Sequence, residues 1–342
     1  MSQVTKLSNN YNKEWNDYVL NHENGTIYHL SQWKNAIVKT FKWKADYYIA
    51  ESNNKICGIL PLFLIKGIFF GTRVLSIPYA VYGGILADSM DIEEELLNFA
   101  KKFTQEKNAQ YLELRYLHNP GLQLPKLDSH VTFRRKIEDT PEDILLSIPR
   151  KSRASIRNGY SKFNLEVRID NNLNILYKLY CLNKRKLGSP VYPKAFFKNL
   201  MAEFGDDSRI MTVYYKNIPI STVLYFYFKD TCLPYFSGSD PQYLYTSASN
   251  VLYYELMKEA RARDYLYFDF GRSRVDSGAG AFKKNMGFSP TPLNYYYYLH
   301  NASDIPDISP TSSKFSLVVE IWKRQPLFLT KILGPRLVKY FP

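Results

Sequence analysis

Two stretches carry the reading of the fold: ADYYIAESNNKICGILPLFLI (Ala45–Ile65) and RIMTVYYKNIPISTVLYFYF (Arg209–Phe228). Each is a β-rich run split by a two-residue polar turn, Asn53-Asn54 in one and Lys216-Asn217 in the other, and each reads as a hairpin. A helix and a short buried strand follow each hairpin. In the first half these are DIEEELLNFAKKFTQEKN and AQYLELR; in the second, TSASNVLYYELMKEARARD and YLYFDFG. Fifty-seven residues separate Asn54 from Tyr111, and 48 separate Asn217 from Tyr265. The shared order predicts two copies of one α+β unit.

The second helix has an apolar stripe of Ala248, Leu252, Leu256 and Ala260 with Val251 beside it. Thr246 or Ser247 is placed to cap it with a hydroxyl. Acids at Asp91–Glu95 suit the start of the first helix. Between the halves, Thr140-Pro141-Glu142-Asp143 reads as a helix start, and Pro149 breaks that helix and opens another. The new segment carries Arg150, Lys151, Arg153, Arg157 and Lys162, with no acid until Glu166. It is a solvated basic face, or, since Arg153 and Arg157 share one side four residues apart, a clamp for a diphosphate or an RNA backbone.

The 342 residues suggest two domains. With 45 Lys and Arg against 32 Asp and Glu, the net charge of +13 favours anionic partners: phosphates, nucleic acid or an anionic membrane face. Cys57, Cys181 and Cys232 are widely spaced, with no Cys/His ligand pattern, which disfavours a zinc site and fits a reducing compartment. The five histidines show no triad spacing with Ser or Cys, so hydrolase chemistry of that kind is disfavoured. The N-terminal segment has no apolar core of a signal peptide, and the run ICGILPLFLIKGIFF is broken by Pro61 and Lys66. The expectation is a cytoplasmic protein.

FDFGRSRVDSGAGAFKKNMGF (Phe268–Phe288) matches neither a Walker loop nor a dinucleotide fingerprint. Its glycines either simply permit a strand-to-helix loop or shape a site. Asp269, between Phe268 and Phe270 on a buried strand, must be paired or functional, with Arg272 and Arg274 as nearby partners. Tyr254 and Glu255 are further candidates on the preceding helix. Gly83-Gly84 is a turn or a place where backbone approaches a ligand.

A hairpin–helix–strand unit of this kind resembles the GNAT acyltransferase fold, and two in tandem resemble the FemABX family. IPRKSRASIRNGYSKFNLEVRI resembles the family's basic helix leading into the second domain, AFKKNMGF its F-K element near the end of that domain, and LSQWKNAIVKTFKW its early first-domain helix. The pattern VYGGILA, KLGSPVYPKAFFKNL, YFDFGRSR and IWKRQPLFLTKILGPRLV is similar to FemAB-related proteins of exosortase-associated exopolysaccharide clusters. The resemblance implies an α+β fold of two tandem GNAT-like domains with mixed sheets flanked by helices: residues 1–138, residues 139–300, and a basic-aromatic tail, 301–342. It implies transfer of an acyl or aminoacyl group to a cell-envelope or exopolysaccharide precursor, on a phosphorylated or lipid-linked saccharide or peptide acceptor.

No long heptad-patterned helical hairpin is present, so the donor stays open between aminoacyl-tRNA and acyl-CoA, with no tightly bound cofactor. An acetyl-CoA-dependent N-acetyltransferase and a non-catalytic basic scaffold for RNA or membrane are the other readings. Acyl transfer requires positioning and a stabilised oxyanion. The resemblance gives Lys283, the F-K lysine, that electrostatic role, beside Asp269 and Tyr254; the alternative is a surface lysine. It points to Lys34, Tyr82, Gly83, Arg153, Arg157 and Arg272 for substrate. Thr246, Ser247 and Ala248 occupy the place where GNATs bind the CoA pyrophosphate, although the usual glycines are missing. The tail either packs on the second domain or makes peripheral contact with the inner membrane. The assembly is expected to be a monomer or dimer.

Overall fold

A computed structural model describes residues 3–8, 11–67, 71–306 and 313–341, the last segment's first four as backbone only. Residues 68–70, which end the apolar run noted above, and tail residues 307–312 and 342 lie outside the described residues.

The first half opens with β1 (Gln3–Lys6), α1 (Asn12–Asn21) and α2 (Ser31–Phe41). The expected hairpin follows as β2 (Lys44–Ser52) and β3 (Lys55–Gly67), then β4 (Gly71–Leu75), β5 (Leu86–Ala87), α3 (Met90–Glu106), β6 (Tyr111–Tyr116) and β7 (Lys126–Leu127). The middle of the chain gives β8 (His130–Thr132), β9 (Arg134–Lys136), α4 (Pro141–Leu146), α5 (Arg150–Ser161), β10 (Glu166–Ile169), α6 (Leu173–Lys186) and α7 (Lys194–Phe204). The second hairpin is β11 (Ser208–Tyr215) and β12 (Ile218–Phe228). After it come β13 (Thr231–Ser239), α8 (Ala248–Ala262), β14 (Tyr267–Asp269), β15 (Ser273–Arg274), α9 (Gly278–Asn285), β16 (Thr291–Pro292), β17 (Asn294–Leu299), α10 (Ser313–Arg324) and α11 (Leu327–Leu337).

The two hairpins are built alike. Asn53, Asn54, Lys216 and Asn217 all have φ between 50° and 62°, and positive φ at both central residues is the type I′ geometry that matches strand twist. Each first strand carries a register shift just before its turn, at Ala50/Glu51 and at Val213/Tyr214. A third strand then adds antiparallel, β4 on β3 and β13 on β12. A helix crosses over, and a fourth strand returns parallel: β6 beside β4, and β14 beside β13. The repeat read in the sequence is therefore a repeat of strand order and sense, in two separate sheets.

The sheets are completed by exchanged strands. β17 pairs antiparallel with β6 in the first sheet, and β9 pairs antiparallel with β14 in the second. The chain accordingly divides into one unit of residues 1–129, 292–307 and 339–342, and another of residues 130–291 and 308–338. Against the expected limits of 138 and 300, residues 130–138 go with the second unit, 292–300 with the first, and most of the tail with the second.

Each sheet is covered on both faces, as strand alternation dictates. In the first, Leu60 and Leu62 join Leu96, Leu97 and Ala100 of α3 in one core cluster. On the other face Tyr47 stacks 4.8 Å from Trp15 of α1 and edge-on to Phe63. In the second, Val223 and Tyr225 of β12 pack with Val251, Leu252, Leu256 and Ala260, the stripe read on α8. On the opposite face Phe236 of β13 meets Phe197 of α7 at 4.8 Å, and Phe197 meets Tyr180 of α6 at 5.0 Å.

α6 lies so close to β13 that a Cβ at Gly238 would sit 2.4 Å from both the carbonyl carbon and oxygen of Leu179. Backbone cannot rotate away, so one element must shift. Gly238→Ala is expected to destabilise the second unit by about 1–3 kcal/mol. Gly278→Ala meets nothing within 4 Å at the start of α9 and should be neutral or stabilise by up to about 1 kcal/mol. Urea unfolding of both variants checks this; equal midpoints would refute the close approach.

Candidate active site

In the second unit the parallel ladder between β13 and β14 is only two residues long, Thr231 with Tyr267 and Cys232 with Phe268. β13 then runs on to Ser239 while β14 leaves it, because Phe270 N donates instead to Phe133 O, continuing the ladder with β9. No backbone hydrogen bond among the described residues joins the diverging segments. The first unit has the same two-residue ladder, Val74 with Leu112 and Leu75 with Glu113, but there the gap is bridged. Ser76 N donates to Glu113 O and Gly83 N to Arg115 O, each at 2.9 Å. The buried Arg115 guanidinium further ties the bridging loop down, bonded to Glu113 Oε1 at 2.7 Å and to Ala80 O at 2.9 Å. One split is sealed and the other is open along its backbone.

The open split ends at the loop 270–272, and Lys283 holds that loop. Its Nζ donates to Phe270 O at 2.9 Å, Gly271 O at 2.8 Å and Arg272 O at 3.2 Å, and it lies over the rings of Phe133 and Phe270. Lys283 is thus not a surface lysine: it is only 8% exposed. In the charged form, which prevails below about pH 7, all three N–H donors are engaged by carbonyls, so its charge acts on the site through the loop it holds. Burial pushes its pKa down to about 7; Asp269 opposes the shift and Arg272 adds to it. Asp269 is buried, and its Oδ1 accepts from Gly271 N at 2.8 Å and Thr132 Oγ1 at 3.1 Å. Gly271, at φ 64°, makes the turn between them.

Two more groups close on the split, and neither is legible as a site residue in the sequence. Tyr253 of α8 stands edge-on to Phe270 at 4.8 Å and 5.6 Å from Phe282, with its hydroxyl on the side of Ser237 of β13. Burial raises its pKa, so it is held as the neutral phenol. One turn earlier Ser249 meets Ser239 at 2.9 Å, so residues 249 and 253 of α8 face residues 239 and 237 of the strand. Tyr254, the expected residue, points elsewhere: its hydroxyl donates to Pro141 O of α4. Lys184 of α6 lies over the rings of Tyr180 and Tyr192, and its pKa is pushed down to about 8, first by burial and then by the charge of Arg272. Asn183 beside it reaches Ser237 O at 3.4 Å. Lys184, Arg272 and Lys283 therefore gather on the end of β14 against one acid, Asp269.

The remaining expected residues fall as follows. Thr246 is fully buried and its hydroxyl donates to Tyr243 O, while Ser247, in the left-handed region, starts α8 without a side-chain cap. The expected hydroxyl cap is not formed; the helix begins with Asn250 N on Ser247 O. Ala248 is buried in the core of the second unit. Arg153 is partly exposed and Arg157 exposed on α5, whose Ser152, Ile156 and Gly159 face inward, and neither makes an ion pair among the described residues. Lys34, Tyr82 and Gly83 belong to the first unit. Lys34 donates to Asn12 Oδ1 and lies over Tyr47, with its pKa lowered by burial. Tyr82 is buried edge-on to Tyr28. Gly83, at φ 147°, has no room for a side chain: a Cβ would fall 2.6 Å from Ile77. Among the described residues no group of three or more His, Cys, Asp and Glu could hold a metal ion.

Two sheets with the same antiparallel, antiparallel, parallel order, each splitting after its crossover helix, decide the architecture. The fold is a tandem GNAT acyltransferase fold. Residues 148–284 match the family described as Acetyltransferase (GNAT) domain, and this stretch includes the open split. No curated protein matches the chain by sequence. Among solved structures, FemX is 15% identical, with 87% of this chain and 98% of that chain covered and a TM-score of 0.68. A tandem GNAT protein from the clavulanic acid biosynthesis pathway is 10% identical, with 89% and 100% covered and a TM-score of 0.57. The C-terminal domain of a putative lysylphosphatidylglycerol synthetase from Agrobacterium fabrum is 11% identical, with 85% and 92% covered and a TM-score of 0.59.

Because Lys283 satisfies three carbonyls, its removal strands them. Lys283→Met is expected to cost on the order of 3 kcal/mol, since bonds to a charged donor contribute about 1.5–3 kcal/mol and buried acceptors are left unmet. The check is chemical denaturation with Lys284→Met, an exposed neighbour, as control; two equal midpoints would remove the anchoring role.

Proposed function

We propose that the second unit transfers an acyl or aminoacyl group to an amine or hydroxyl acceptor, with the reacting carbonyl at the split between β13 and β14. The observation that carries this is the contrast between the two copies: only the second split is unbridged. An extended amide-bearing acyl carrier can pair with the uncovered edge of β13, as peptides add to sheet edges. The acceptor forms a bond to the carbonyl carbon, the bond to the leaving sulfur or oxygen breaks, and the acceptor proton passes to solvent. Tyr253, kept protonated by burial, donates to the leaving group and takes a proton back from solvent. Arg272 and Lys184 supply positive charge for the oxyanion or for a donor phosphate. Lys283 and Asp269 position the loop that carries Arg272. Arg153 and Arg157 offer a second phosphate contact. The resemblance of the sequence to the FemABX family favours an acceptor of the cell envelope, with an exopolysaccharide precursor in the same class.

Titrating the protein calorimetrically with acetyl-CoA and with a charged-tRNA acceptor-stem mimic tests the reading. Binding of one is expected; binding of neither sinks it. With the donor that binds, Tyr253→Phe should lower the rate of acyl release by at least about 10²-fold, the contribution of a positioned acid. Tyr254→Phe should leave that rate within about twofold. Donor affinity should also depend on pH. Lys184, with a depressed pKa of about 8, is charged below that value and neutral above it. Affinity for an anionic donor should therefore fall between pH 7 and 9, and Lys184→Arg should flatten the profile. An unchanged slope in that variant would exclude Lys184 from the donor site.

A further inference from the structure

The two C-terminal helices present two unlike faces. One is fastened to the second unit. Trp322 of α10 is buried and its Nε1 donates to Ser189 O at 3.1 Å. Val319 closes on Gly188, where a Cβ would fall 2.4 Å from its Cγ1. Thr330 and Gly334 of α11 are buried, and a Cβ at Gly334 would meet Val191 at 2.6 Å. The tail is thus packed, and the expectation of packing holds for this face.

The opposite face is apolar and uncovered. Leu317 (72%), Val318 (58%) and Ile321 (52%) of α10 are exposed, as are Phe328 (62%), Ile332 (53%) and Leu333 (40%) of α11. The i, i+4 pairs Leu317–Ile321 and Phe328–Ile332 make rows along each helix. Scattered exposed apolar residues need no explanation, but six within 17 residues of chain, on consecutive helices fastened by their other sides, are a concentration of the kind that marks an interaction site. Its rim is cationic. Arg324 and Arg336 are exposed and Lys331 is partly so; Lys323, whose stem lies against Gly188 on the fastened side, is paired with the one acid, Glu320.

We propose that this face docks on an anionic lipid surface. Apolar side chains beside a basic rim are the pattern of an interfacial helix. The helices have 12 and 11 residues, against the roughly 20 that a span requires, so they lie along the surface and do not cross it. A second copy of the chain fits less well, because a self-complementary contact would bring the cationic rims together with a single acid on each side to offset them. A soluble acidic partner would match the charge but leaves Phe328 and Leu317 without a stated pocket. Each Lys or Arg held near an anionic leaflet multiplies partitioning by about fivefold, an effect weakened by salt. This inference is independent of the acyl-transfer reading.

The experiment is co-sedimentation of the full chain with vesicles of phosphatidylglycerol and phosphatidylcholine in equal parts, and with phosphatidylcholine alone, at low and high salt. Sedimentation with the anionic vesicles only, weakened by salt, is expected. The double variant Phe328→Glu/Ile332→Glu should bind at least tenfold more weakly. Both side chains are exposed, so its circular dichroism melt should match that of the parent and exclude misfolding. No sedimentation of the parent with anionic vesicles overturns the proposal, as does equal sedimentation of the variant. A dimer in sedimentation velocity that the variant dissociates, without vesicle binding, would give the face to a second copy instead.

Discussion

A single ammonium group fixes the geometry at the centre of the second unit. Lys283 reaches from α9 to three successive carbonyls, of Phe270, Gly271 and Arg272, just where β14 stops being a strand. Carbonyls that point to one donor cannot pair with a neighbouring strand, so the hydrogen-bonding capacity of the loop is turned away from β13. The oxygen of Asp269 does the complementary work, taking the Gly271 amide. Together they satisfy both polarities of a tight turn inside the protein, which a buried backbone demands. The split is therefore a consequence of local hydrogen-bond satisfaction and carries no unmet backbone at its apex.

The first unit shows what the same topology does without such an anchor. There the loop after β4 folds back, and Ser76 and Gly83 extend the ladder on β6. The buried pair Glu113–Arg115 lies on the same strand, its guanidinium also bonded to Ala80 O of the bridging loop. Removing one member of such a pair would leave a charge without compensation in the interior. One chain thus carries a bridged and an open copy of the same split.

The fold was legible in the sequence where the signal was local. Asn53-Asn54 and Lys216-Asn217 announced hairpins as polar turns between β-rich runs, and the 248/252/256/260 stripe announced α8. The exchange of β9 and β17 was not legible: β9 has three residues, and its partner in β14 lies more than 130 positions away in the chain, so neither propensity nor periodicity registers it. Site residues were partly legible. Lys283, Asp269 and Arg272 stand together at the end of β14. Tyr253 was missed in favour of Tyr254 because adjacent helical residues differ by about 100° in direction, and only the pairing of Ser249 with Ser239 reveals which one faces β13. Lys184 was hidden in the run Asn183-Lys184-Arg185-Lys186, which reads as a basic helix end.

Thr246 illustrates the opposite failure: a hydroxyl at a helix start reads as a cap, but here tertiary burial turns it to Tyr243 O and leaves the turn to Ser247 in the left-handed region. The cost of that conformation for a residue with a side chain is roughly 1–3 kcal/mol, and it persists only where the surroundings impose it. The surroundings are the serine chain Ser221–Ser239–Ser249, which ties the first turn of α8 to β12 and β13. That chain sets the height of Tyr253 one turn further along the helix, beside Ser237. The strained start of α8 and the placement of the phenol at the open split are thus one structural fact: the helix is held by its polar row against the strand whose free edge it overlooks.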